Sequence, residues 1–305
     1  MSDKNRSSVS AVVSTKDRPE DLVRCIESLN KQTYPLQELV IIDSGGQSIQ
    51  KLNVDRYDKL NIRHFHYVSS LTAARNMGIN ESKGDIILFL DDDVVLDKDY
   101  VHNIIEIFEN YGNVGCVCGD IVSDTLRSTR FSKSIKYPLV RKARNFIFNI
   151  FFLTSWGDGK FHPSGFPTHP IGKTDIMYIE CVQGANMAFR REVLDKFKFD
   201  ENLQGYCYME DCDISYRVSR EYRIVYTPYA KLIHNVSPTS RYSDYSKMKM
   251  AIQSHYYIFH KNFPQKLYNR FAFWTSVFGM FVICFLGMRK EGIKGLYEGL
   301  TTIKR

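Results

Sequence analysis

The stretch GDIILFLDDDVVLDKDY, residues 84–100, sets five apolar residues, Ile86 to Leu90, directly against three adjacent carboxylates. A continuous apolar, β-prone run of this length suits a strand buried on both faces of a sheet. Asp91, Asp92 and Asp93 repel one another, and folding gains nothing by crowding them at the end of such a strand. A positive charge is therefore expected there, most simply a hard divalent cation with oxygen ligands that also meets phosphate oxygens. Alternation along an extended chain turns Asp91 and Asp93 to one side and Asp92 to the other, which makes Asp-x-Asp the metal and diphosphate grip. The plainer alternative is a strand that ends in a solvated acidic turn.

Upstream, Val9 to Ser14 is a short β-rich run ending in Thr15-Lys16-Asp17-Arg18-Pro19. Asp17 is placed to cap a helix with Pro19 and Glu20 in its first turn, and Leu22, Ile26 and Leu29 then recur at helical spacing. Leu39 to Ile42 reads as a second strand, followed by Asp43-Ser44-Gly45-Gly46. A strand over about 62–67 precedes a helix that carries Ala73, Ala74, Arg75 and Asn76. Downstream come a helix over about 100–110 and a strand over 114–118. Strands alternating with helices predict an α/β fold, a mostly parallel sheet flanked by helices. Ligands of such sheets bind beyond the carboxyl ends of the strands, and Thr15, Arg18, Asp43, Asp91 and Asp93 all fall there. No G-x-G-x-x-G follows the first strand and no G-x-x-x-x-G-K-[ST] occurs, which argues against a dinucleotide-binding dehydrogenase and a phosphate-loop ATPase.

A chain of 305 residues holds one large or two modest domains. Its net charge of +7, from 41 Lys and Arg against 34 Asp and Glu, sits largely in the C-terminal third beside an apolar run. That pairing points to an anionic membrane surface rather than nucleic acid. The seven Cys include no C-x-x-C pair, so neither a disulfide framework nor a zinc site is expected, and a reducing cytosol fits. The start, MSDKNRSSVS, has no apolar segment, so no secretory signal is expected.

The runs VSAVVSTKDRPEDLVRCIESLNKQ, LVIIDSGG, LTAARNMGINESKGDIILFLDDD, VQGANMAFRREVL and GYCYMEDCDISYRV together resemble family-2 inverting glycosyltransferases of GT-A fold, over about residues 8–235. The resemblance implies a nucleotide pocket lined by Thr15 and Arg18, with Asp43 at the base. Arg75 and Asn76 would lie by the diphosphate, and Asp92 within the nucleotide site. Asp91 and Asp93 would hold Mg²⁺ or Mn²⁺, with His234 in a further metal or donor-phosphate role. Gly184, Ala185 and Asn186 would form the acceptor-side loop, and Glu210-Asp211 the acidic catalytic pair.

The chemistry suits those residue types independently. A sugar nucleotide loses a diphosphate whose developing charge a divalent cation stabilises. Inversion needs one general base behind the acceptor hydroxyl, and Asp211 is the expected base. Glu210 is the alternative base, or orients the acceptor. Glu210, Asp211 and Asp213 also read simply as the acidic first turn of a helix to about Tyr222. Processive relatives carry Q-x-x-R-W after the acidic pair. Neither Trp156 nor Trp274 stands in such a motif, which predicts addition of one or a few sugars.

The sequence divides into a catalytic domain over 1–240, with a nucleotide half 1–120 and an acceptor half 121–240, and a helical extension over 241–305. Within 123–177, Lys133, Lys136, Arg141, Lys142 and Arg144 precede the aromatic run Phe146 to Leu153. That run is too short to span a bilayer; it reads as an interfacial segment anchored by the cations and Trp156, or as a core helix. GDGKFHPSGFPTHPIG reads as an ordered loop or acceptor lid. Residues 271–287, FAFWTSVFGMFVICFLG, carry no charge and sit between basic flanks, which leaves a tilted span, a re-entrant helix and a dimerisation helix open. KEGIKGLYEGLTTIKR reads as an amphipathic surface helix with Ile293, Leu296 and Leu300 on one side.

The function expected is metal-dependent, inverting hexosyl or N-acetylhexosaminyl transfer from a nucleotide-sugar donor to a lipid-linked glycan or glycolipid. The setting expected is the cytoplasmic face of the cell membrane, with no nucleic acid partner and a second copy of the chain as a candidate partner. A sugar nucleotidyltransferase is the rival enzyme, although its usual Gly-rich first loop is replaced here by STKDRPED. An inactive nucleotide- or glycan-binding scaffold is the rival from another class, and it would be expected to have lost one of Asp91, Asp93 or Asp211.

Overall fold

The computed structural model describes residues 6–46, 57–122, 142, 145–153, 157–170, 173–203, 208–237 and 242–303. Strands β1 (Val9–Thr15), β2 (Glu38–Asp43), β3 (Ile62–His66) and β4 (Ile86–Asp91) alternate with helices α1 (Pro19–Asn30) and α2 (Leu71–Glu81). All four pair in parallel in the order β3-β2-β1-β4. Short β5 (Val94–Leu96), α3 (Tyr100–Asn110), β6 (Val114–Ile121), β7 (Met177–Ile179), β8 (Asn186–Arg190), α4 (Arg191–Lys196), α5 (Glu210–Ser219) and β9 (Arg223–His234) follow.

The strands are apolar on both faces because both are covered. Ala11, Val13, Leu39 and Ile41 face one layer with Leu22 and Ile26 of α1 and Ile104 and Phe108 of α3. Val12, Val40, Ile42 and Phe89 face the other, with Ala74 and Ile79 of α2, Leu194 of α4 and Ile214 of α5. The alternating-element reading thus gives the α/β class, and the parallel character holds for the first four strands and for β6 with β9. Beyond β4 the sheet is mixed: β8 runs antiparallel to both β4 and β6, and β5 and β7 antiparallel to β9. β9 is a long strand. It is continuous through Pro228, which sits where the register with β6 slips and no ladder donor is required.

Asp17 does not cap α1. It takes a left-handed conformation (φ 54°), and its carboxylate accepts from Gly46 N–H at 3.1 Å, while Arg18 occupies the cap position and Pro19 opens the helix.

Helices α6 (Asp244–Asn262), α7 (Leu267–Leu286) and α8 (Lys290–Thr301) complete the chain. They do not form a detached extension. Phe259, Phe273, Val277, Met280 and Leu296 share one core with Phe148, Phe152, Cys181, Met209 and Cys212 of the acceptor half. Asp213 of α5, fully buried, is satisfied by Arg217, by Lys261 at 2.9 Å and by Asn262 at 2.8 Å, which bolts α5 to α6. α8 approaches α6 closely enough that a Cβ on Gly295 would sit 2.2 Å from the Tyr245 carbonyl oxygen, so only glycine fits there. The tail is accordingly an amphipathic helix as expected, and its Ile293, Leu296 and Leu300 side packs into the third core, with Leu296 at 0% exposure.

The aromatic run is one turn of π-helix over Phe148–Phe152. Phe148 and Phe152 stack at 4.7 Å inside the third core, while Phe146 and Ile150 face solvent. Lys133, Lys136, Arg141, Arg144 and Trp156 lie outside the described residues. By length and composition α7 could cross a bilayer, yet Ala272, Phe273, Ser276, Met280 and Cys284 are buried against the protein. The opposite side exposes Leu267, Phe271, Trp274, Phe278 and Phe285, an apolar stripe at helical spacing. Of the cations expected to flank it, Lys261 is held by Asp200 and Asp213 and Arg289 by Asp244, whereas Lys266, Arg270 and Lys290 are exposed.

His255 of α6 is buried among Phe166 and Phe273, and its Nε2–H donates to the Ser164 carbonyl at 2.9 Å. Burial pushes its pKa down from 6.5 to about 4. Its contribution to stability is thus full above pH 6.5 and is lost as the pH falls toward 4, because the unfolded chain then binds the proton that the folded one refuses. Between pH 7 and pH 5, urea unfolding should register a loss of about 2 kcal/mol from this group, absent from His255→Gln. Equal pH slopes in the two proteins would contradict the assignment.

Candidate active site

The acidic strand end separates its carboxylates as alternation predicts. Asp92, 3% exposed, turns back toward β1, where it accepts from Thr15 Oγ1 at 2.7 Å and from Arg18 Nη1 at 3.1 Å. Burial, aided by the charges of Asp93 and Asp91, pushes Asp92 up to about 6 against these two partners. Thr15, Arg18 and Asp92 therefore form a brace under the loop after β1. Asp91 and Asp93 turn the other way, toward His234 at the end of β9. His234 Nε2 lies 2.9 Å from Asp93 and 4.0 Å from Asp91, and Ser237 N–H donates to Asp93 at 2.9 Å. Burial raises Asp91; burial is also the largest single influence on Asp93, but the hydrogen bond and charge of His234, the Ser237 N–H and the charge of Arg18 together outweigh it and hold Asp93 below the usual carboxylate range.

One donor atom from each of Asp91, Asp93 and His234 lies within 4.8 Å of the others. Two carboxylates and an imidazole converging on one point are a donor set that fits a divalent cation. Asp91, with about a third of its side chain exposed, offers that point to the cleft.

Arg75, in the first turns of α2, is 3% exposed. Its guanidinium pairs with Glu210 through Nη1, donates to the Gly184 carbonyl at 3.0 Å and approaches Asp91 at 3.5 Å through Nη2. One side chain thus joins the strand end at Asp91, the loop before β8 and the acidic pair. Met209, immediately before that pair, is held in a left-handed conformation (φ 70°), a strained backbone that aims the first turn of α5. Glu210 is 8% exposed and is pushed up to about 8, by burial and then by the Asp211 carboxylate, against the pull of Arg75. Asp211 is half-buried, and its orientation is locked: Oδ2 accepts from Gly184 N–H and Oδ1 from Cys212 N–H, both at 2.8 Å. A Cβ on Gly184 would lie 3.0 Å from Glu210 Oε1 and 3.1 Å from Arg75 Nη2, so the close approach needs glycine. Asn186 donates from Nδ2 to the Gly119 carbonyl at 3.0 Å, and its buried Oδ1 has no donor among the described residues.

All of these residues except the buried Asp93 and Ser237 line one cavity of about 1350 Å³. Thr15, Arg18, Arg75, Asp91, Asp211 and His234 form its polar side. Ala185 and Asn186 lie in its wall next to Gly184. Two residues expected at the donor do not reach it. Asn76 bonds instead to the backbone of Phe199, at 3.0 Å each way, and to Glu201 at 2.8 Å, tying α2 to the segment before α5. Asp43 is buried at 3% exposure under the turn after β2, where it accepts from Gly45 N–H at 2.8 Å; neighbouring Ser44 reaches the cavity instead.

Sequence reasoning missed the apolar side of the cavity, formed by Phe148, Phe152, Phe166, Met280 and Ile283. The aromatic run and the α7 run were visible, but nothing in either indicates that one face turns inward to the cleft. His169, in the Pro-rich loop, also lines the cavity and was not singled out.

Residues 10–197 match the model of the family described as glycosyl transferase family 2. An uncharacterized glycosyltransferase, YwdF, of Bacillus subtilis (strain 168) is 24% identical over 234 residues, 75% of this chain and 74% of that protein. A glucosyl-dolichyl phosphate glucuronosyltransferase of Haloferax volcanii is 21% identical over 240 residues, 75% of this chain and 69% of that protein. Among solved structures, the mannosyltransferase PcManGT from Pyrobaculum calidifontis, in complex with GDP-Man and Mn²⁺, superposes with a TM-score of 0.56. The identity is 16%, over 98% of this chain and 81% of the other, a likeness of the GT-A-like fold. With the family match spanning well over half the chain, the protein belongs to glycosyl transferase family 2.

Proposed function

We propose that this chain transfers a sugar, with inversion, from a nucleotide-sugar donor to a hydroxyl of a lipid-linked glycan or glycolipid at the cytoplasmic surface of a membrane. The observation that carries the reading is the joining, through Arg75, of the Asp91–Asp93–His234 group to the Glu210–Asp211 pair across one cleft. Asp91, Asp93 and His234 would hold Mg²⁺ or Mn²⁺, which when bound supplies positive charge against the departing diphosphate. PcManGT, solved with GDP-Man and Mn²⁺, supports a divalent cation in this fold.

Asp211 is the general base in this reading. Two backbone N–H groups fix its carboxylate, which leaves its remaining lone pairs to receive the acceptor hydroxyl proton as the oxygen attacks the anomeric carbon. Glu210 is committed to Arg75 and orients rather than accepts a proton. The unpartnered Asn186 Oδ1 is placed to receive a substrate hydroxyl.

The apolar side of the cavity favours an acceptor with a hydrocarbon part, and the exposed stripe of α7 lies on the same helix as its Met280 and Ile283. A polar sugar site with an apolar wall, in a protein that also exposes an apolar helix face, is the arrangement expected for an enzyme resting on lipid. Because the other face of α7 is docked in the third core, the helix would lie in the interface rather than span the bilayer. The Haloferax relative, whose name includes a dolichyl phosphate, supports a lipid-linked acceptor.

Asp93→Asn should abolish donor turnover, and EDTA should do the same to the native chain with recovery on adding Mn²⁺. Turnover that resists both would remove the metal from the mechanism. Asp211→Asn should lower turnover by roughly 10²–10⁴-fold while nucleotide affinity, read by titration calorimetry, stays within a few-fold. Loss of nucleotide affinity with unchanged turnover per bound complex would move Asp211 to the donor side. Flotation of the full chain with anionic vesicles tests the surface. Replacing Phe271, Trp274 and Phe278 together by Ser should weaken vesicle binding at least about tenfold and spare metal-dependent donor hydrolysis, since each immersed aromatic contributes roughly 1–3 kcal/mol. Unchanged flotation would sink the interfacial reading.

A further inference from the structure

Three segments far apart in the chain bring one histidine and two cysteines together beside the cleft. His169 comes from the Pro-rich loop, Cys181 from the segment just after β7, and Cys212 from the first turn of α5. Cys181 Sγ lies 3.6 Å from Cys212 Sγ and 3.7 Å from His169 Nδ1. One donor atom of each of the three falls within 4.8 Å of the others. Both thiols are buried, at 0% and 2% exposure, and the imidazole is half-buried. The cysteines, scattered in the sequence and read there as no zinc site, are brought together by the fold across 31 residues.

We propose that His169, Cys181 and Cys212 bind one thiophilic divalent cation of the Zn²⁺ class, at a site separate from Asp91, Asp93 and His234. Tetrahedral zinc, with Zn–S about 2.3 Å and Zn–N about 2.0 Å, places its sulfurs about 3.8 Å apart and sulfur about 3.6 Å from nitrogen. The two measured separations lie close to those edges before any adjustment. Three protein ligands leave a fourth position, and His169 and Cys212 line the cavity, so water from the cleft completes the tetrahedron. Sulfur and imidazole here against mainly carboxylate oxygen at the other site sort a soft cation from a hard one.

The cation would clamp three pieces of the acceptor side. Cys212 follows Asp211, and Cys181 precedes by three residues the Gly184 whose N–H holds Asp211. His169 ties the Pro-rich loop to both. The role is positional: it fixes the loop and helix whose contact orients the base. It stands independently of which sugar or acceptor the enzyme uses.

The test uses the full chain, purified reduced and without chelator. Plasma mass spectrometry should find about one zinc per chain. Exchange with Co²⁺ should give thiolate-to-cobalt charge-transfer absorption, which the Asp91–Asp93–His234 site cannot produce because it holds no sulfur. The band and the zinc should be lost in Cys181→Ser and in His169→Ala and kept in Asp93→Asn, with circular dichroism confirming that each variant is folded. The native chain alone decides the matter if a variant fails to fold. No thiolate band after saturation with Co²⁺, or zinc content undiminished in folded Cys181→Ser and His169→Ala, would overturn the proposal. So would mass-spectrometric detection of a Cys181–Cys212 disulfide in place of bound metal.

Discussion

The site depends on a buried guanidinium. Arg75 is almost without solvent, and removing such a charge from water costs several kcal/mol unless its donors and its charge are met inside the protein. Glu210, the Gly184 carbonyl and Asp91 meet them, and they belong to three different stretches of chain. Satisfying one arginine therefore fixes the end of β4, the loop before β8 and the start of α5 relative to α2. The strained backbone of Met209 and the glycine requirement at 184 follow from that arrangement: each lets a neighbouring group come close enough to the same guanidinium.

Three consecutive aspartates are tolerable because the fold gives each a different environment. Asp92 is spent on Thr15 and Arg18, which stiffens the loop after β1. Asp93 is held ionised by His234 and a backbone N–H, and Asp91 is left facing the cleft. Burial works against all three, and only specific partners decide which of them is held below the normal range and which above.

The C-terminal helices belong to the same structure as the site rather than to an appendage. They supply most of the third core, satisfy the buried Asp213, and extend the cavity with Met280 and Ile283. The single helix α7 meets protein on one side and leaves five large apolar residues exposed on the other. Its sequence is apolar all round, so the division into two faces is made by what packs against it.

The sequence by itself determined the strand that ends in three acids, the parallel first half, and the alternation of Asp91 and Asp93 against Asp92. These are legible because they rest on local periodicity and on charge crowding within a few residues, which backbone geometry alone converts into placement; Gly184 to Asn186 and the Glu210–Asp211 pair were singled out only through the family resemblance. It placed Asn76 and Asp43 at the donor, and the tertiary structure spent both elsewhere, on Phe199 and Glu201 and on the Gly45 turn. It read the cysteines as scattered and the last helices as separate. Only the packed chain brings Cys181 to Cys212, His234 to Asp93, and the apolar wall to the cleft. Those contacts join residues distant in sequence, and which buried polar group finds which partner is decided by the arrangement that leaves the fewest unmet, a property of the whole fold and of no single segment.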